Sequence, residues 1–177
     1  SPVLWIIPLL SAMFALTTAG GIVYLLAKND IIDVDGQSQG ILSVLVIGAA
    51  TDYALLLIAR YREELHHHEN RFDAMRAAYK GVWEPIVASG STVSISLLIL
   101  LFSQLTNTAG LGPIGAIGIV CAMITILTLL PALLLNFGRW IFWPRIPRND
   151  GDDHVMSGLW SKVGSSIDRN PRKAWII

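Results

Sequence analysis

The sequence predicts an all-α membrane protein: a transmembrane helix bundle of four spans, a cytoplasmic amphipathic helix and the start of a further span. Three observations predict it. Of 177 residues, 53% are hydrophobic and only 15% charged, and the mean hydropathy is +0.56, which is membrane composition. Four apolar runs reach the roughly 20 residues that cross a hydrocarbon core at 1.5 Å rise per residue. The segments between them alternate in charge, as the two sides of a membrane require.

The first run covers about 3–27. It is too long for a cleavable signal peptide and has no basic leader. The connection 28–40 is short and acidic, with Asp30, Asp33 and Asp35. The second run is 41–59. After it, 60–82 reads as a cytoplasmic loop or helix rich in Arg62, Arg71, Arg76 and Lys80. The third run is 85–102, followed by a polar, uncharged connection over 103–112. The fourth is 113–137, and 139–148 is basic again. Backbone polar groups find no water inside lipid, so each run is expected to be a helix. The positive-inside rule places 60–82 and 139–148 in the cytoplasm. Trp5, Trp83, Trp140 and Trp143 then all fall at the cytoplasmic interface, where amphipathic rings settle.

The transmembrane region is thus expected over 1–143 and a cytoplasmic linker over 144–173, with a further span beginning at 174–177. Within the linker, Leu159, Trp160, Val163 and Ile167 share one helical face, which suits a helix lying on the inner membrane surface. Gly151 and its charged neighbours mark a loop before it. The sequence starts at Ser1 and stops inside an apolar stretch, so it reads as an excerpt of a larger polytopic protein. There is no internal repeat of 20–50 residues.

Composition also excludes function classes. A formal net charge of +0 gives no bulk attraction to nucleic acid. The single cysteine, Cys121, lies in an apolar run and is expected to pack as a small core residue. It offers neither a disulfide framework nor a cysteine-based metal site.

The most informative residue is Asp52, in the middle of the second run. A carboxylate at that depth costs several kcal/mol on insertion scales, so intramembrane acids mark functional sites. Hydrocarbon disfavours the charged form, so such a group can load a proton on one side and release it on the other. Gly48 lies one turn before it on the same face and leaves room for a neighbouring helix or water. Tyr53 adds a phenol that donates or accepts. The plainer alternative is an aspartate that only ties two helices together.

In the third span, Ser89, Thr92, Ser96 and Ser103 recur on one face. This stripe could bond Asp52 or hold a water chain, or could simply tie helices together. Ser96 is the functional choice on account of its depth. Gly112, Gly115 and Gly118 suit close helix packing, with 110–113 as an alternative hinge, and Pro131 suits a tolerated kink. Arg60, Arg62 and Glu63 form a cytoplasmic anchor, and Arg60 can pair with Glu64 at i, i+4. His66, His67 and His68 lack the further ligands of a tetrahedral site and read as a solvated helix end. Asp33-Val34-Asp35-Gly36 lacks the later carboxylates of a calcium loop and reads as a polar outer turn.

Gly48-x-x-x-Asp52-Tyr53 followed by Arg60-x-Arg62-Glu63-Glu64 resembles the signature of the MMPL transporters, actinobacterial members of the resistance-nodulation-division (RND) superfamily. Ala88-Ser89-Gly90 through Ser96 and Leu127-Thr128-Leu129-Leu130-Pro131-Ala132-Leu133 are similar to that family's next two helices. The resemblance implies an RND-type bundle of twelve spans in two similar halves, of which this chain would cover the third span to the start of the seventh. It implies export of lipids, glycolipids or other hydrophobic compounds, drug efflux included, driven by protons across the inner (plasma) membrane. It also implies a proton relay of Asp52, Tyr53 and Ser96 facing a matching Asp-Tyr in the second half. No cofactor is expected beyond protons as the coupling ion, and no metal. The implied partners are the hydrophobic substrate, membrane lipids and the second half, with room for a homo-oligomer. Position 91 is Ser where many members carry Arg, so no role passes to Ser91.

Two other classes compete with a transporter. An intramembrane aspartyl protease needs two carboxylates sharing a proton, and the spans offer Asp52 alone. A lipid- or sterol-sensing bundle would keep the helices but move no protons.

Overall fold

The computed structural model describes residues 2–32, 34–102 and 106–137, with side chains placed over 5–32, 34–102 and 110–137. The basic segment 139–148, the linker with its amphipathic helix, the further span at 174–177, Trp140, Trp143 and Ser103 lie outside the described residues. Four long helices account for almost all of the rest: α1 Pro2–Lys28, α2 Gly36–His67, α3 Arg71–Ile99 and α4 Thr106–Phe137. A 3-10 turn, Leu100–Phe102, extends α3. There is no strand among the described residues.

Local chemistry sets each boundary. Asp30 closes α1 in the left-handed region at φ 55°. Its N–H donates to Ala27 O at 3.1 Å, and the Ile31 N–H to Leu26 O at 3.1 Å. That pair is a Schellman ending, which satisfies carbonyls the helix leaves open. The Asn29 side chain donates to Leu25 O at 2.7 Å. Asp35 caps the start of α2, its Oδ1 accepting the Ser38 N–H at 2.7 Å. Asn70 caps α3 by accepting the Phe72 N–H at 3.0 Å. These short oxygens take up amide hydrogens that a first turn cannot pair internally.

The helices are longer than the apolar runs. α2 continues to His67, and α3 begins at Arg71. The stretch 60–82 is therefore mostly helix, broken by a tight turn at 68–70. Hydropathy marks only the part of a helix that suits hydrocarbon, and ion pairs carry the backbone pattern beyond it. α4 likewise begins at Thr106, inside the stretch read as a polar connection. Pro8, Pro85, Pro113 and Pro131 all sit within helices, which membrane helices tolerate when neighbours absorb the freed carbonyls.

α4 is the central helix and touches α1, α2 and α3; α2 also packs on both α1 and α3. Small residues permit the approach. Ala12, Ala15 and Ala19 of α1 are fully buried. On α4, a Cβ at Gly118 would sit 2.6 Å from Leu42 Cδ1 and 2.7 Å from Val46 Cγ2, and one at Gly112 would sit 2.5 Å from the Leu97 carbonyl oxygen. Gly115 meets Leu97 and Leu45. The glycine series is a packing seam against α2 and α3, where dispersion rather than water expulsion holds helices together.

The outside of the bundle is apolar too: Trp5, Leu10, Phe14, Leu55, Ile99 and Phe102 are exposed. Helices apolar on every side belong in lipid. All four are long and apolar enough to cross a membrane, over Trp5–Lys28, Gly36–His67, Arg71–Phe102 and Gly110–Phe137.

Candidate functional site: an intramembrane carboxyl on an uncovered helix face

Asp52 lies near the midpoint of α2. Its side chain is exposed, on the face turned away from the buried row of Val46, Ala50, Ala54, Leu57 and Tyr61. Gly48, one turn earlier, is exposed as well, and a Cβ placed there would meet nothing within 4 Å. Thr51 does not engage the carboxyl, because its hydroxyl donates back to Ile47 O and Gly48 O, both at 2.8 Å. α1, α3 and α4 thus leave Asp52 on open helix surface with a smooth approach beside it.

Tyr53 points elsewhere. Successive residues on a helix are about 100° apart, so neighbours in sequence face different ways. Tyr53 is 8% exposed and belongs to the core. Its hydroxyl rests where α2 meets α3 and α4: a Cβ on Gly90 would lie 3.4 Å from Tyr53 Oη and 3.0 Å from Met123 Sδ. Gly90 is the position that lets the phenol reach the α3 backbone. Its importance was not readable from the spacing that marked the serine stripe.

The stripe is real as a face: Ser89, Thr92 and Ser96 are all exposed on α3. Its hydroxyls serve their own helix. Thr92 donates to Ala88 O and Ser96 to Thr92 O, both at 2.8 Å. Ser96 also lies about 9 Å along α3 from Gly90, at 1.5 Å per residue. No hydrogen bond joins Asp52, Tyr53 and Ser96 to one another among the described residues. The structure brings Tyr53 to α3 and leaves Asp52 and Ser96 on open surface. The buried hydroxyl of α3 is a different one, Ser94, at 8% exposure and with no hydrogen-bond partner in the structure. Sequence spacing passed over it because it falls off the stripe.

One end of the α2–α3 pair is held by charge. Arg60 binds Glu63 through Nη1 and Glu64 through Nη2, each at 2.8 Å. Glu64 is the buried member, with its side chain 10% exposed, and His68 Nδ1 approaches its other oxygen at 3.4 Å. The His68 N–H donates to Glu64 O at 3.0 Å and ends the helix. Across the interface, a Cβ on Gly81 would come 3.2 Å from Arg60 Nε, so glycine makes the slot in which the guanidinium lies. Arg62 is exposed and stays outside this cluster. Among the described residues, no group of three His, Cys, Asp or Glu side chains could hold a metal.

At the opposite end of α2, hydrogen bonds from the Ser38 side chain and backbone hold the Asp35 carboxyl below its ordinary value of 3.8. Its partners identify it as a helix cap and not a cation ligand.

The family profile described as "MMPL family" matches residues 1–174. The chain is 53% identical over its whole length to SCO0839, a membrane protein of Streptomyces coelicolor, of which it covers 25%. It is 39% identical over 163 residues to the apo-petrobactin exporter of Bacillus anthracis, covering 92% of this chain and 22% of that protein. It is 30% identical over 174 residues to the sulfolipid-1 exporter MmpL8 of Mycobacterium tuberculosis, covering 97% of this chain and 15% of that protein. The chain therefore spans about a quarter or less of the length of the relatives it matches here. A profile match across nearly every residue, on a bundle of four apolar helices, places this chain in the MMPL family of multi-pass membrane proteins.

Proposed function

We propose that this chain supplies one half-site of a proton-driven exporter of lipids or other hydrophobic compounds across the plasma membrane. The observation that carries the reading is the position of Asp52: mid-helix in an apolar span, on a face that no other described helix covers. Intramembrane acids face a protein interior or a water-filled path and not bare lipid. The face is therefore completed by another part of the full-length protein. A matching Asp-Tyr in the second half fits that place, with Gly48 leaving room for its approach.

Transport follows from two packings of this interface. With Asp52 charged, the opposed helix must offer donors or water; with Asp52 protonated, closer apolar packing becomes affordable. A proton entering from one side and leaving to the other drives the helices between the two arrangements, and rigid spans carry the motion outward. Tyr53 and Ser96 serve this exchange as hydrogen-bonding groups on the α2–α3 side. The names of two relatives, an apo-petrobactin exporter and a sulfolipid-1 exporter, support export over an enzyme and a lipid among the candidate cargoes. The coupling ion is the proton, and no bound cofactor is required.

The test is the full-length protein in proteoliposomes with an imposed pH gradient. Asp52→Asn should abolish coupled proton uptake and cargo export while leaving the thermal unfolding midpoint near wild type. Wild-type proton-coupled export by Asp52→Asn overturns the reading.

A further inference from the structure

The hydroxyls of these helices share a habit. Thr17, Thr18, Ser43, Thr51, Thr92, Ser96 and Thr128 each donate to the carbonyl one turn back, at 2.7–2.9 Å. This is the ordinary way for a membrane helix to satisfy an O–H. Ser94 departs from it. The Gly90 carbonyl is available one turn back, yet Ser94 Oγ is buried and bonds nothing in the structure. A buried hydroxyl without a partner is costly, so native proteins rarely keep one without a use.

The surroundings supply the use. Ser94 lies one turn from Gly90 on the same face of α3, and both are buried. Gly90 is where the Tyr53 hydroxyl meets α3. Side chains on a helix lean toward its N-terminus. α2 and α3 run antiparallel, since Tyr53 meets Gly90 while Arg60 meets Gly81. The Ser94 side chain therefore leans along α3 toward Gly90, where the Tyr53 hydroxyl lies.

We propose that Ser94 is a positioning residue for Tyr53: its buried hydroxyl is the hydrogen-bond partner, directly or through one water, that fixes where the Tyr53 O–H points. This rests on the proposed proton-coupled function and adds to it. With Ser94 donating to Tyr53 Oη, the phenolic hydrogen is left to point away from Ser94. Without it, the phenol is free to turn its hydrogen toward α3 and α4. Ser94 touches neither cargo nor Asp52; it acts through Tyr53. Ser11 of α1 provides an internal control, being fully buried and equally without a partner but on a helix that packs chiefly on α2 and α4.

The experiment uses the full-length transporter in proteoliposomes, with 3-fluorotyrosine at position 53 read by fluorine NMR and proton uptake read by an internal pH dye. Asp52→Asn should eliminate uptake, as the function requires. Ser94→Ala should shift the fluorine resonance and lower uptake about tenfold, the effect of losing one hydrogen-bonded link. Ser94→Thr, which keeps the hydroxyl, should restore both, and Ser11→Ala should change neither. An unshifted resonance with wild-type uptake in Ser94→Ala, alongside an inactive Asp52→Asn, overturns the role of Ser94 and leaves the proposed function intact. Equal loss in Ser94→Ala and Ser94→Thr, with the resonance unmoved, also overturns it, because the site would then be one of packing alone. Wild-type uptake by Asp52→Asn overturns the function itself.

Discussion

At the scale of single residues, position on the helix circumference decides what each polar group can do. Asp52 and Tyr53 are adjacent in sequence yet serve different neighbourhoods, one on open helix surface and one in the core. A motif written as two consecutive letters hides that turn of about 100°. The serine stripe shows the converse: its spacing was legible, but which hydroxyl is buried was not, because burial depends on where α4 lies. Asp35 offers a prediction at this scale. Its carboxyl is held below its ordinary value by Ser38, so the ionised form is the one that stabilises the folded helix start. That contribution is fully present above the ordinary value of 3.8 and is lost as pH falls through the lowered value. The protection factor of the Ser38 amide, its exchange relative to the intrinsic rate at the same pH, should fall on acidification in wild type and much less in Asp35→Asn, which keeps an acceptor without a titrating group. Asp35→Ala should show low protection at every pH.

At the scale of elements, the helices and their number were legible, while their ends were not. Apolar runs locate the membrane-spanning part because lipid is the solvent there. The ends are written in caps and ion pairs: Asp35, Asn70, and Arg60 with Glu63 and Glu64. Those signals extend α2 and α3 well past the runs and make the stretch read as a basic loop or helix into two helix ends joined by a turn. The seam between α4 and its neighbours makes a sharp prediction. Gly118→Val should destabilise the protein by about 1–3 kcal/mol or more, as overpacking does; the unfolding midpoint in detergent checks it. Gly48→Ala, facing open space in this chain, should leave that midpoint unchanged in this segment. At the charged end, Arg60→Ala strips the buried Glu64 of its guanidinium and should cost about 1–3 kcal/mol. Gly81→Val should cost a similar amount by filling the slot that Arg60 occupies. Gly81→Val retaining the wild-type midpoint would show that the slot does not matter.

At the scale of the whole molecule, the four helices bury many of their small residues and turn mostly apolar side chains outward. Asp52, Ser89, Thr92 and Ser96 lie on uncovered faces of α2 and α3. In the proposed function they form a half-site, completed by a part of the full-length protein outside this chain, which spans about a quarter of the length of relatives such as SCO0839. The sequence motif implied a matching second half; the direction of the exposed face is what the structure adds. Charge distribution predicts the orientation. Cysteine placed at His67 should react with an impermeant thiol reagent only from the cytoplasmic side, and cysteine placed at Gln37 only from the outside. The reverse pattern would invert the topology.

The central claim is that Asp52 itself takes up and gives off the transported proton. Infrared difference spectroscopy of the full-length protein, recorded across the pH range in which it transports, tests this most directly. A carbonyl band of a protonated carboxyl should grow as pH falls, carry the isotope shift of labelled aspartate and vanish in Asp52→Asn. Persistence of the whole titrating band in Asp52→Asn would place the proton on another group and contradict the account.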